Sequence, residues 1–178
     1  MTLIKQIIKQ THKPEPPREF TGMNPNLPNE GELIFDAHFE SGNLDIVVKR
    51  RELEYDLFMR VDTNTKGHHQ WFYFSVINPP EFAKKRVKFN VVNFTKDESL
   101  YNLGMRVCIS RESANYRWIK GGDDITYKLS HINKQPGAEG GVHKGKTYFM
   151  LSFTYEFPKS DEKTFFSYSF PYEFSKLT

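Results

Sequence analysis

Cysteine is nearly absent: one residue, Cys108, stands among 178. That excludes an internal disulfide and a cysteine-built metal site, and it suits a reducing compartment. Long hydrophobic runs are missing too. No stretch approaches the roughly 20 apolar residues that span a bilayer, and a mean hydropathy of -0.63 with 26% charged residues predicts a soluble chain without a membrane partner. Nor is there an excess of one charge sign. Twenty-five basic residues stand against 22 acidic ones, a net charge of +3, which is far from the balance of a dedicated nucleic-acid binder.

The equipment for catalysis is also lacking. His12-Lys13-Pro14-Glu15 has a metal-ligand spacing, but it lies in a proline-rich stretch with no rigid element to preform a pair. His68 and His69 are adjacent, so on a strand they point to opposite faces and cannot chelate one ion together. His38, His131 and His143 have no acidic or thiol neighbour at a useful spacing. Cys108 reads as a small buried thiol between Val107 and Ile109. No nucleophile elbow and no phosphate-binding Gly-Lys loop occurs. Gly137, Gly140, Gly141 and Gly145 lie near Lys144 and Lys146, but no helix follows to supply amides for an anion, so residues 133–146 read as a mobile loop. Asp62, Asp123 and Asp124 read as ordinary turn acids. The expectation is a non-enzyme with no catalytic residue, metal site or cofactor.

Aromatic residues, by contrast, are abundant: 15% of the chain, including 16 Phe and 9 Tyr. Such side chains fit a pleated, half-buried surface, and from Leu33 onward the apolar period is two. Leu33, Phe35, Ala37 and Phe39 alternate with polar residues, and after the Glu40-Ser41-Gly42-Asn43 turn signal Leu44 to Val48 reads as the return strand. Tyr55, Leu57 and Met59, then the run Trp71 to Ile77, then Val87, Phe89 and Val91 continue the pattern. Met105, Val107 and Ile109 follow, then Trp118 to Leu129 around Gly121-Gly122-Asp123, then Tyr148 to Phe157, with Thr164 to Phe170 as the closing strand. About nine to ten short strands and no long helix predict an all-β fold: a single antiparallel β-sandwich over residues 33–178.

Residues 1–32 differ. Leu3, Ile4, Ile7 and Ile8 share one face if helical, and Pro14, Pro16, Pro17, Pro25 and Pro28 then favour an extended path. This N-terminal arm is too short for a stable isolated helix, and its apolar patch suits a partner that orders it. Lys5 and Lys9 and the lack of a cleavage site argue against a secretory signal, and the lack of Arg or Ser before Arg18 makes a mitochondrial presequence the lesser reading. A cytoplasmic location is expected.

Two basic runs flank strands: Lys49-Arg50-Arg51, and Lys84, Lys85, Arg86 and Lys88. They read first as solvated edges that discourage strand aggregation, and second as contacts for an acidic partner surface. Together with Leu3, Ile4, Ile7 and Ile8, the second run supplies the candidate partner-binding residues. Trp71 and Trp118 lie in alternating strands and read as core positions before they read as interface anchors.

Several stretches resemble the amino-terminal domain of the cytosolic carboxypeptidases, zinc peptidases that trim glutamates from tubulin and other proteins. They are Phe39-Glu40-Ser41-Gly42-Asn43-Leu44, Glu54-Tyr55-Asp56-Leu57, Asp62-Thr63-Asn64-Thr65, His69-Gln70-Trp71-Phe72-Tyr73-Phe74 and Ser99-Leu100-Tyr101-Asn102-Leu103-Gly104-Met105. Phe166-Ser167-Tyr168-Ser169-Phe170-Pro171-Tyr172-Glu173-Phe174-Ser175 is similar to that family's junction between domains. The resemblance spans roughly residues 33–178 and implies an antiparallel sandwich that packs against a peptidase domain. The family's zinc ligands, substrate-binding arginine and catalytic glutamate lie beyond the junction, so none is carried over to this sequence. The expected function is a non-catalytic interaction module in a microtubule-associated or ciliary assembly, with tubulin or other axonemal proteins as partners. The alternative is a companion domain, for substrate positioning or folding, of a cytosolic zinc carboxypeptidase acting on tubulin, either split from its catalytic domain as a separate chain or truncated before it. A structural role in an unrelated organellar complex is a further alternative.

Overall fold

The computed structural model describes residues 31–65, 67–132 and 147–177. Leu3, Ile4, Ile7 and Ile8, most of the arm and the glycine-rich 133–146 stretch lie outside these residues. Ten strands are described: β1 Ile34–Asp36, β2 Leu44–Arg51, β3 Glu54–Met59, β4 Tyr73–Asn78 and β5 Arg86–Phe94. They continue as β6 Val107–Arg111, β7 Trp118–Gly121, β8 Asp123–Leu129, β9 Phe149–Glu156 and β10 Glu162–Ser167. They form two five-stranded sheets, ordered β1-β4-β10-β6-β7 (sheet A) and β2-β3-β5-β9-β8 (sheet B). The all-β sandwich expected from the period-two pattern is present, with one departure. β3 and β5 pair in parallel, Tyr55 with Phe89 and Leu57 with Val91, so sheet B is mixed.

The two inner faces make one core. Phe74, Val76, Val107, Ile109 and Phe166 from sheet A meet Tyr55, Leu57, Phe89, Val91, Leu151 and Phe153 from sheet B, all buried. Phe89 sits at the centre, its ring 5.4 Å from Phe166, 5.5 Å from Phe153 and 6.1 Å from Phe74. These are the offset and edge-on arrangements that ring quadrupoles favour. Burying one such side chain is worth about 1.5–3 kcal/mol, and truncating it to alanine costs about 3–5 kcal/mol.

Two connections expected to be hairpins instead carry the chain from one sheet to the other. Between β1 and β2 the crossing is fixed by Asn43. Its N–H donates to the Tyr73 carbonyl at 3.1 Å and its side chain bonds Trp71 O and Tyr73 N, both at 2.9 Å, while its own carbonyl accepts from Arg60 N at 2.7 Å. The first three bonds hold the start of β4 in sheet A, and the last holds the residue that follows β3 in sheet B. Gly42 is needed beside it because a Cβ there would lie 2.4 Å from the Ala37 carbonyl oxygen. Between β7 and β8, Gly122 and Asp124 adopt φ of +81° and +48°, and two arginines clamp the bend. Arg106 Nη2 donates to Gly122 O at 2.5 Å, and Arg86 Nη2 pairs with Asp124 at 2.9 Å. A turn signal marks a reversal of direction, but the hydrogen-bond partner is chosen by the core.

Candidate docking face

In a two-layer sandwich each strand also has an outward row, and in sheet A that row is aromatic. Phe166 points inward on β10, so Phe165 and Lys163 point outward; Phe74 and Val76 point inward on β4, so Tyr73 points outward. Tyr73 is the hub, its ring 4.7 Å from Phe39, 5.8 Å from Trp118, 6.1 Å from Phe165 and 6.3 Å from Trp71. Tyr116 extends the group, 5.9 Å from Phe165. Lys163 Nζ stands 5.3 Å over Phe165 and pairs with Asp36 at 3.3 Å. Burial would push the Asp36 carboxyl up, but hydrogen bonds from His38 and Lys163 outweigh it and hold the group below the usual range.

Trp71 and Trp118 therefore do not occupy the core. Both are half-buried on this outer face, and Trp71 Nε1 donates to the Ser41 carbonyl at 2.9 Å. Alternation alone does not say which of two apolar rows faces inward, and here both rows are aromatic.

The segment after β10 crosses the same face. Burial, and then the adjacent Glu173 carboxylate, push the Tyr73 hydroxyl up to about 12, and Ser175 N donates to Glu40 Oε1 at 3.1 Å. Along this segment Phe170, Tyr172 and Phe174 are 55%, 70% and 59% exposed. The residues from Tyr168 to Phe170, expected to belong to the closing strand, leave the sheet instead, since β10 ends at Ser167. Lys120 Nζ lies 4.9 Å from the centre of the Phe170 ring and donates to Cys108 Sγ at 3.0 Å. Trp71, Val61, Asp62, Phe170 and Tyr172 line an adjoining groove of about 560 Å³, where burial raises the Asp62 carboxyl. A solvent-facing row of this kind has the chemistry of an interface: aromatic area with few rotatable bonds and a polar rim.

The expected basic partner residues are dispersed. Lys84 and Lys85 are exposed in the turn before β5. Arg86 turns to Asp123 and Asp124, while Lys88 pairs with Glu54 at 3.0 Å. The solvated-edge reading fails for this second run, because β5 is the middle strand of sheet B; Lys49-Arg50-Arg51 does lie on an edge, β2. His131 has an acidic partner that sequence spacing could not reveal, Asp56, at 2.8 Å across 75 residues. Among the described residues no three His, Cys, Asp or Glu side chains come together as a metal-ligand set. They offer no donor set that fits a catalytic zinc.

The family model for the cytosolic carboxypeptidase N-terminal domain matches residues 35–136. Human Cytosolic carboxypeptidase 1 is 40% identical over 146 residues, covering 78% of this chain and 12% of that protein. Mouse Cytosolic carboxypeptidase 3 is 39% identical over 134 residues, covering 73% and 12%. In three dimensions the fold is similar to a carboxypeptidase A-like protein of Shewanella denitrificans, with a TM-score of 0.51 at 17% identity over 80% of this chain and 31% of that one. The chain belongs to the cytosolic carboxypeptidase family, as its N-terminal domain. It spans about 12% of the length of those curated relatives, and the match does not extend to their catalytic part.

Proposed function

We propose that the domain is the non-catalytic companion of a zinc carboxypeptidase domain, which it docks through the outer face of sheet A and the aromatic segment after β10. The peptidase domain would be carried on the same polypeptide or on a separate chain, in the cytosol. One observation carries the reading: the junction segment lies over a face already built of Phe39, Trp71, Tyr73, Trp118 and Phe165, and it leaves Phe170, Tyr172 and Phe174 exposed beside it. A docked domain would bury those rings and supply the interface anchors that Trp and Tyr provide.

The test is to mix the purified chain with a zinc carboxypeptidase domain lacking its own N-terminal domain, following association by sedimentation and zinc-dependent release of C-terminal glutamate from a peptide. A one-to-one complex with activity above the isolated peptidase supports the reading, and Trp118→Ala should weaken both. Absence of a complex at concentrations of about 100 µM would sink it, since a useful interface is tighter than that. The stand-alone reading, in which the same face binds tubulin or an axonemal protein, predicts co-sedimentation with microtubules and indifference to the peptidase domain.

A further inference from the structure

Sheet B buries a row of polar side chains on its outer face, where a sandwich usually meets water. Cross-strand register lines up Asp56 on β3, Asn90 on β5 and Ser152 on β9. All three are buried, Asp56 with a 2% exposed side chain. Ser152 Oγ donates to Asn90 Oδ1 at 2.7 Å; Asn90 Nδ2 donates to Asp56 Oδ1 and to Glu54 Oε1, each at 3.0 Å. Asp56 Oδ2 then accepts from His131 Nε2 at 2.8 Å and lies 3.5 Å from Arg50 Nε.

The consequence is orientation. Arg50 meets Asp56 through Nε, and its side chain is 53% exposed. His131 is held by Nε2, which leaves Nδ1. A register shift lies between Lys49 and Arg51, the geometry of a β-bulge, and Lys49, Arg50 and Arg51 share the lining of one cavity. Arg51 reaches Glu54 Oε2 at 3.6 Å and is 84% exposed. These residues line an open cavity of about 290 Å³ made by Val48, Lys49, Arg50, Arg51, Glu54 and His131. Glu54 is the carboxylate in the lining and Asp56 stands behind Arg50 and His131, while Lys49 Nζ is already paired with Glu32 Oε1 at 3.3 Å. The hydrogen bond from Asn90, with Lys88 and Arg51 adding to it, keeps the Glu54 carboxyl low and therefore ionised.

We propose that this cavity is an oxyanion site, taking a phosphoryl or carboxylate group between Arg50, Arg51 and His131, with Asp56 as the residue that positions Arg50 and His131. Planar guanidinium forks suit such groups because two parallel N–H donors match two oxygens. The site lies on sheet B, away from the docking face of sheet A, and does not depend on the function proposed for that face.

The experiment is an NMR titration of the full chain at fixed pH and ionic strength, with inorganic phosphate in one arm and glutarate in the other. The expected result is saturable shifts of the Arg50 and Arg51 Nε–H and the His131 ring, with a Kd of about 1 mM in at least one arm, while Lys84 and Lys85 stay still. Saturation with phosphate alone assigns a phosphoryl ligand, and saturation with glutarate alone a carboxylate. Arg51→Gln, at a highly exposed position that folding does not require, should weaken binding about tenfold. Asp56→Asn should weaken it as well and displace the Arg50 Nε–H resonance in the free protein, which loss of a rim charge alone would not do. Shifts that rise linearly without saturation in both arms, shifts as large at Lys84 and Lys85, or unchanged affinity in Arg51→Gln would overturn the assignment.

Discussion

Replacing Asn93 by alanine should destabilise the fold more than the loss of one surface amide suggests. The ordered pairing of β3 with β5 ends at Leu57 and Val91, and β5 is irregular between Val91 and Phe94. Asn93 closes the gap with its side chain: Oδ1 accepts from Met59 N at 3.0 Å and Nδ2 donates to Met59 O at 2.8 Å. Both Asn93 and Met59 are buried. Alanine would leave one donor and one acceptor stranded, and each stranded buried group costs about 1–3 kcal/mol, so a loss near 3 kcal/mol is expected. With a urea m-value of about 2 kcal/mol/M for a domain of this size, the unfolding midpoint should fall by roughly 1.5 M at an unchanged slope. Chemical denaturation followed by Trp fluorescence reads this directly. A midpoint shift under about 0.3 M, with the slope unchanged, would show that Asn93 does not stand in for a strand at this position.

Other outcomes follow from the same contacts. Trp118→Ala removes a half-buried ring from the outer face, so the urea midpoint should move by less than about 0.7 M while affinity for a docked peptidase domain falls at least tenfold; equal loss of both would assign Trp118 to stability alone. Gly42→Ala forces a Cβ against the Ala37 carbonyl and should cost about 2–4 kcal/mol, measured by the same denaturation. Glu54 and Asp36 are depressed in the folded state, so their contribution is present above the ordinary carboxylate range and is lost as pH falls below it. Glu54→Gln should therefore flatten the acid limb of a stability–pH curve. The hydroxyls of Tyr73 and Tyr155 are both raised to about 12, chiefly by burial, so stability should decline between pH 10 and 12; an ultraviolet titration of Tyr73→Phe should lose one late-ionising tyrosine.

The strands were readable because burial imposes a period of two, and at Tyr55, Leu57 and Met59 or Val87, Phe89 and Val91 the inward row matches the alternation residue for residue. What alternation does not encode is which sheet a strand joins. Glu40 to Asn43 and Gly121 to Asp123 have the composition of hairpin turns, yet both change sheets, because Asn43 and the Arg86–Arg106 clamp reach partners far away in sequence. The docking face was hidden for a related reason: neighbouring residues such as Phe165 and Phe166 are equally apolar and point to opposite faces. The oxyanion cavity is less legible still. Its positioning residue Asp56 reads as one of an outward polar row, and only the fold brings His131 onto it. The basic run at Lys84 to Lys88 was visible as a string, but the string is divided among three neighbourhoods.

Strand β10 lies between β4 and β6 in the middle of sheet A, although it is the last of the described strands in sequence. Until Glu162–Ser167 has been synthesised, β4 and β6 have no common neighbour and Phe74 has no Phe166 to stack on at 5.4 Å. The domain must therefore complete itself late, as its final strand leaves the ribosome, rather than growing hairpin by hairpin. A fragment cut at residue 136, where the family match ends, would lack the centre of one sheet and an inner strand of the other. Because Phe170, Tyr172 and Phe174 follow β10 directly, the act that closes the sandwich also lays the junction on its outer surface, so that folding of this domain and presentation of its docking segment are one event in time.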